Sequence, residues 1–161
     1  MCAEGKLFSS VLAYDSRLAM VSVTIHETVN APPVKVFSFV SDFEKAPQYS
    51  NYWKSVKFVN RDNDSATYET VAEAEGRKIV SVTKITAYPN ERMETETVDG
   101  DGKGTKLAFK FQSVPAGTQI ILEGEVVLPG FAKMLGGLVK GKIESGMREE
   151  LKIIKTAIEK T

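Results

Sequence analysis

The sequence predicts an α+β domain in which a curved, seven-stranded antiparallel sheet wraps around one long C-terminal helix, with two short helices after the first strand. Three observations predict it. Side chains alternate with a period of two through most of residues 20–128. The breaks between the alternating runs are too short to cross a sheet, so neighbouring strands run antiparallel. After Pro129-Gly130 the apolar spacing changes to three and four.

In the first strand, Val21, Val23, Ile25 and Val29 fall on one face and Ser22, Thr24, His26 and Thr28 on the other. Asn30-Ala31-Pro32-Pro33 stops it, and Pro33 suits the first turn of a helix over 34–41, in which Val36, Phe37 and Val40 recur at helical spacing. Asp42 is the expected cap of a second short helix over 43–49, whose length Pro47 limits. Six further strands are expected at about 53–61, 66–75, 77–88, 91–98, 105–114 and 118–128. They are separated by Asp62-Asn63-Asp64-Ser65, Glu75-Gly76, Pro89-Asn90, the run from Asp99 to Gly104, and Pro115-Ala116-Gly117, all turn compositions.

Phe131, Met134, Leu135, Leu138, Val139, Lys142, Ile143, Met147, Leu151, Ile154 and Ile158 then mark one amphipathic helix, the only long element available to cover the sheet. A sheet with one face to cover and one rod to cover it must curl around the rod. Gly136, Gly137, Gly141 and Gly146 lie in this helix although each interior glycine costs about 1 kcal/mol relative to alanine. Gly137 and Gly141 share a face, which fits close packing on the sheet, ligand entry past a yielding helix start, or contact with a membrane or partner.

Residues 1–19 stand apart. The apolar run from Leu7 to Tyr14 is interrupted by Ser9 and Ser10 and flanked by Glu4 and Asp15, which suits neither a secretion signal nor a spanning helix. The periodic pattern starts at Met20, so the expectation is one domain over 20–161 preceded by an appended helix or an extension beyond the true start.

Composition narrows the function. The chain has 161 residues, 42% hydrophobic and 26% charged, as expected of one globular core rather than a disordered, collagen-like or coiled-coil chain. Twenty-one Lys and Arg balance 21 Asp and Glu, which argues against nucleic acid as a partner. One cysteine, Cys2, and one histidine, His26, exclude an intrachain disulfide and a Cys/His zinc site, so the expected compartment is the cytoplasm and neither metal nor cofactor is expected.

Known chemical motifs fail on context. Gly136 to Lys142 has the spacing of a phosphate loop, but Ile143 stands where Ser or Thr would hold magnesium, and the glycines lie within a helical pattern. Asp99-Gly100-Asp101-Gly102 lacks the later ligands of a calcium loop and reads as a hairpin turn. His26 falls on the polar side of its strand, leaving acid-base work to carboxylates such as Glu27, Glu73, Glu123 or Glu125, the last two on the outer face. Tyr68, Tyr88 and Trp53 join a polar tip to an apolar body, and Tyr68 is the first choice to orient a ligand's oxygen.

The run from Val29 through Asn30-Ala31-Pro32-Pro33 and Val36-Phe37 to Ser41-Asp42, then Pro47 to Trp53 and Val56, resembles the opening of the START and SRPBCC superfamily. Gly117-Thr118 to Leu128 followed by Pro129-Gly130-Phe131 looks like the closing strand and helix of its polyketide cyclase-like and coenzyme Q-binding-like members. The resemblance covers 21–160 and implies the helix-grip fold. It also implies a ligand class, since the superfamily's members bind lipids, quinones, polyketides, hormones or chaperones.

A curved sheet and a straight helix cannot touch along their whole length, so a slot remains between them. On strand seven, Ile120, Leu122, Gly124, Val126 and Leu128 are expected to face it, and on strand six Leu107, Phe109 and Phe111. Gly124 marks either a bend with close backbone approach or a gap in the wall. In the middle strands Ile79, Ser81, Thr83 and Ile85 compete with Val80, Val82 and Lys84 for the inner face, and Ser81, Thr83, Thr95 and Thr97, if inside, add hydroxyls to a carbon wall, which suits an amphipathic ligand with a carbonyl or hydroxyl. The candidate ligand-binding set is Phe109, Phe111, Leu122, Gly124 and Val126 from the closing strands, Tyr68 and Thr83 from the middle ones, and Phe37, Met134 and Leu138 from the helices.

The expected function is binding or carriage of a small hydrophobic ligand, lipid, quinone or polyketide-like, without catalytic residues. The alternatives are a polyketide cyclase or dehydratase and a protein-interaction module of the same fold. No integral membrane segment is expected, transient membrane contact stays open, and the sequence fixes neither partner nor oligomeric state.

Overall fold

The computed structural model of the chain describes residues 20–128 and 138–161. The expected N-terminal extension, and the expected start of the long helix with Phe131, Met134, Gly136 and Gly137, lie outside the described residues.

Strand β1 (Met20–Val29) leads into helix α1 (Pro33–Ser41), a 3-10 turn (Phe43–Lys45) and helix α2 (Ala46–Tyr49). Six strands follow: β2 (Trp53–Asp62), β3 (Ser65–Ala74), β4 (Arg77–Tyr88), β5 (Arg92–Gly100), β6 (Lys106–Val114) and β7 (Gly117–Val127). Helix α3 (Leu138–Glu159) ends the fold. Pro33 occupies the first turn of α1, where its missing N–H has no helical partner to lose. Asp42 does not cap the next turn. Its backbone, at φ −82° and ψ 64°, lies outside the extended region a cap uses, and its carboxylate instead pairs with Lys45 at 2.8 Å.

The sheet runs β1-β7-β6-β5-β4-β3-β2, every pair antiparallel, so β1 and β2 are its two edges although they are neighbours in sequence. The segment 33–49 therefore travels from one edge of the sheet to the other, touching β6, β7 and α3 through α1, and β2 and α3 through α2. Edge strand β2 slips register twice, between Trp53 and Ser55 and between Phe58 and Asn60.

Helix α3 closes the gap that a curled sheet leaves between its edges. On the β1 side Lys155 Nζ donates to the Thr28 carbonyl oxygen at 2.6 Å and pairs with Glu159 at 3.3 Å. Glu159 also accepts from the Asn30 backbone N–H at 2.9 Å, and that bond, with Lys155 beside it, holds its carboxyl below the usual range. Farther up the helix Lys142 pairs with Glu75, in the β3–β4 turn, at 3.2 Å. The helix is the fold's grip, and the architecture is the helix-grip fold.

The main core gathers Ile25, Val29, Val36, Val40, Ile85, Phe111, Ile120, Leu151, Ile154 and Ile158 where α1 and the last half of α3 meet the sheet. A smaller cluster, Leu128 and Val139 with Val21 and Ile143, joins the start of α3 to the start of β1. No described helix is long and apolar enough to cross a membrane.

Candidate functional site

Register decides which side chains face the helix. Row by row across the sheet, Ala87, Met93, Phe109, Leu122 and Ile25 are aligned, and the next row aligns Ala66, Ile85, Thr95, Leu107, Gly124 and Val23. Beyond it come Phe58, Tyr68, Thr83 and Thr97, then Val56, Thr70, Ser81 and Gly100. Because Ile25, Ile85, Leu122 and Tyr68 belong to the core, all of these rows share the concave face. The competition in β4 is thereby resolved: Ile79, Ser81, Thr83 and Ile85 point in, and Val80, at 49% exposure, points out.

Burial along this face is uneven. Ile25, Met93, Phe111, Ile120 and Leu122 are buried, whereas Ile79, Thr83, Thr95, Thr97, Leu107, Phe109, Gly124 and Val126 point the same way yet remain half-buried. These inward residues that water still reaches lie on the concave face between the main core and the Leu128–Val139 cluster.

Of the sequence-predicted residues, Thr83, Phe109, Gly124 and Val126 line this half-buried stretch, and Leu122 forms its floor. Phe111 stands deeper, its ring edge-on to Phe37 at 5.8 Å between centroids, so both help close the core end. Tyr68 is boxed by Phe43 at 5.4 Å and Phe58 at 6.0 Å, and burial pushes its hydroxyl pKa up. Leu138 does not join the set. It is 77% exposed at the start of α3, because the inward positions there are Val139 and Ile143. Met134 lies outside the described residues.

Gly124 is explained by the bend rather than by a gap. At φ +148° a Cβ there would run into the Lys106 carbonyl oxygen and come within 2.9 Å of Leu107 Cα, so the β6–β7 backbones approach too closely for any side chain. At Gly141 a Cβ would meet nothing within 4 Å, so close packing on the sheet does not account for that glycine.

The four buried serines and threonines among the described residues all have partners. Thr118 Oγ1 donates to the Ala31 carbonyl at 2.7 Å, Thr70 Oγ1 to Ser81 O at 3.3 Å, Ser81 Oγ to Asp101 O at 2.7 Å, and Ser50 Oγ to Glu150 Oε2 at 2.8 Å. The last of these is a site that the sequence reading missed. Glu150 is half-buried at the corner where α2 runs into β2, and burial raises its carboxyl pKa against the opposing pull of the Ser50 hydrogen bond. Burial, with the Glu150 charge adding to it, also raises the pKa of Tyr49 and of Tyr52. A signal for it exists in the sequence: Glu150 lies three residues after Met147 and four before Ile154, on the shoulder of the apolar stripe.

The remaining polar candidates lie elsewhere. Glu123 pairs with Lys110 on the outer face, and Glu27 faces Lys155 at 4.0 Å. His26 is exposed and borders an open depression of about 310 Å³ with Asn30, Ala116 and Lys155, while a second of about 310 Å³ lies on the outer face among Lys57, Glu69, Val80 and Asp99. No group of three or more His, Cys, Asp or Glu among the described residues could hold a metal ion.

The geometry is shared with solved structures. The Zhui aromatase/cyclase from a Streptomyces species superposes with a TM-score of 0.76 at 13% identity, over 87% of this chain and 94% of that one. A protein of Thermus thermophilus gives 0.73 at 22% identity, over 86% and 96%. A START superfamily protein from Mycobacterium smegmatis gives 0.66 at 29% identity, over 88% and 97%. Among curated proteins none matches in sequence. Residues 20–159 match the family described as polyketide cyclase / dehydrase and lipid transport, and with the grip of α3 between the two sheet edges this establishes that the chain belongs to that family, within the START/SRPBCC superfamily.

Proposed function

We propose that the protein binds or carries a small hydrophobic molecule, lipid, quinone or polyketide-like, in the slot between the concave sheet and α3. One observation carries this reading: Leu107 and Phe109, which pack against the edge of the main core, and Val126 point inward yet stay half-buried. Filling that space with a ligand removes apolar surface from water at about 25 cal/mol per Å², which is the driving force for capture. The family's description as lipid transport supports the ligand class. Solvent extraction of the purified protein followed by mass spectrometry is expected to release an apolar compound near one equivalent. A protein that yields none, and that binds no apolar fluorescent probe either, refutes the reading.

A second reading, a cyclase acting on a polyketide-like substrate, draws support from Glu150, a half-buried acid whose raised pKa suits proton transfer, with Tyr49 and Tyr52 nearby. It requires that a poly-β-ketone thioester be converted to a cyclised product by the protein and not by Glu150→Gln.

A further inference from the structure

The slot's wall is not uniform. Thr83 and Thr97 are direct cross-strand partners on β4 and β5, and Thr95 lies two residues along β5 on the same face. Two residues of a strand span about 6.6 Å and cross-strand Cβ atoms lie about 5 Å apart, so the three hydroxyls share one small patch. On one side the patch meets Tyr68, the partner of Thr83. On the other it meets Leu107, the partner of Thr95.

These hydroxyls differ from the buried ones of Ser50, Thr70, Ser81 and Thr118. Each of those has a protein acceptor. Thr83, Thr95 and Thr97 make no side-chain hydrogen bond to any described residue, although they face inward and are half-buried. A hydroxyl loses free energy when a ligand covers it without offering a partner. The inward positions around the patch, Tyr68, Ile79, Ile85 and Leu107, carry no formal charge, and on α3 Lys155 is engaged with Glu27 and Glu159, and Glu150 with Ser50.

We infer that Thr83, Thr95 and Thr97 form the recognition patch for an uncharged oxygen-bearing group, hydroxyl or carbonyl, on an otherwise apolar ligand whose carbon body lies against Leu107, Phe109 and Val126. Carboxylate ligands are disfavoured, since nothing in the patch repays the loss of a carboxylate's hydration. This inference rests on the ligand-binding reading above and narrows its ligand class.

The test uses three matched probes, naphthalene, 2-naphthol and 2-naphthoate, titrated by fluorescence against the full chain, against the triple variant Thr83→Val, Thr95→Val, Thr97→Val, and against the corresponding triple Ser variant. Each neutral hydrogen bond is worth about fivefold in affinity, so the Val variant is expected to bind 2-naphthol at least about fivefold more weakly while holding naphthalene at least as well. The Ser variant, which keeps the hydroxyls, is expected to stay within about threefold of the parent for 2-naphthol. The parent is expected to bind 2-naphthoate at least about tenfold more weakly than 2-naphthol. Unchanged 2-naphthol affinity in the Val variant, or equal binding of 2-naphthoate and 2-naphthol by the parent, overturns the patch while leaving the slot. Failure of the parent to bind either naphthalene or 2-naphthol removes the slot reading itself, and the patch with it.

Discussion

Ser50 donates a 2.8 Å hydrogen bond to Glu150 across 100 residues of sequence, fastening the corner before β2 to the last helix. The buried hydroxyl supplies the carboxylate with one partner in place of the water it has lost, and it also accepts from the Tyr52 backbone N–H at 3.2 Å. Ser50→Ala leaves both groups short of a partner. The expected cost is about 1–3 kcal/mol in urea denaturation at neutral pH. A change within error would show that the corner is held by apolar packing alone.

The raised pKa of Glu150 fixes the sign of a pH effect. For an acid whose folded pKa exceeds its unfolded value, the folded state binds more protons between the two, so this group's contribution to stability falls as pH rises from about 4.5 through the raised folded value. Glu150→Gln removes the titration. Relative to the parent, the variant is expected to gain stability between pH 4 and pH 7, and a pH-independent difference would contradict the assignment.

Gly124 and Gly141 make opposite predictions. Gly124→Ala drives a methyl into the β6 backbone at a φ that L residues avoid, and is expected to cost at least about 2 kcal/mol. At Gly141 and Gly146, where a Cβ meets open space on a helix, alanine is expected to stabilise by about 1 kcal/mol each. Thermal and denaturant unfolding of the three variants checks both signs.

Two phenylalanines on one strand separate core from slot. Phe111 is buried and packs edge-on to Phe37, so Phe111→Ala is expected to cost about 3–5 kcal/mol. Phe109, two residues away and half-buried, loses less on truncation and widens the slot, so its alanine variant is expected to keep most of its stability while changing which apolar probes bind. Equal losses at both positions would mean that the slot is filled by side chains.

The strands and the meander from β2 to β7 are legible in the sequence because alternation and turn chemistry act locally, as in Val21 to Val29 or at Glu75-Gly76, whereas the pairing of β1 with β7 joins distant segments that no local signal connects. The inner face of β4 is not legible either. Ile79 and Val80 are equally apolar neighbours, and only the pairing of Ile79 with buried Ala72 of β3 and the exposure of Val80 assign Ile79 to the inside. Asp42 fails as a cap because a cap needs a backbone conformation as well as an oxygen. Leu138 stays outside the site because the stripe of α3 rotates onto Val139 and Ile143 at the helix start. The place of Glu150 beside the apolar stripe is visible in the pattern, but its contact with Ser50 is not, since Ser50 lies in a loop with no periodicity to announce it.

The double slip in β2 bears on how copies of this chain meet in crowded solution. A ten-residue edge strand with a regular ladder of free N–H and C=O groups is a template on which a neighbour's strand can assemble. Here the slips at Trp53/Ser55 and Phe58/Asn60 break that ladder into short pieces that no straight partner can follow, and Lys54, Lys57 and Arg61 add like charge along it. The rim most open to fibril-like stacking thus carries its own safeguard.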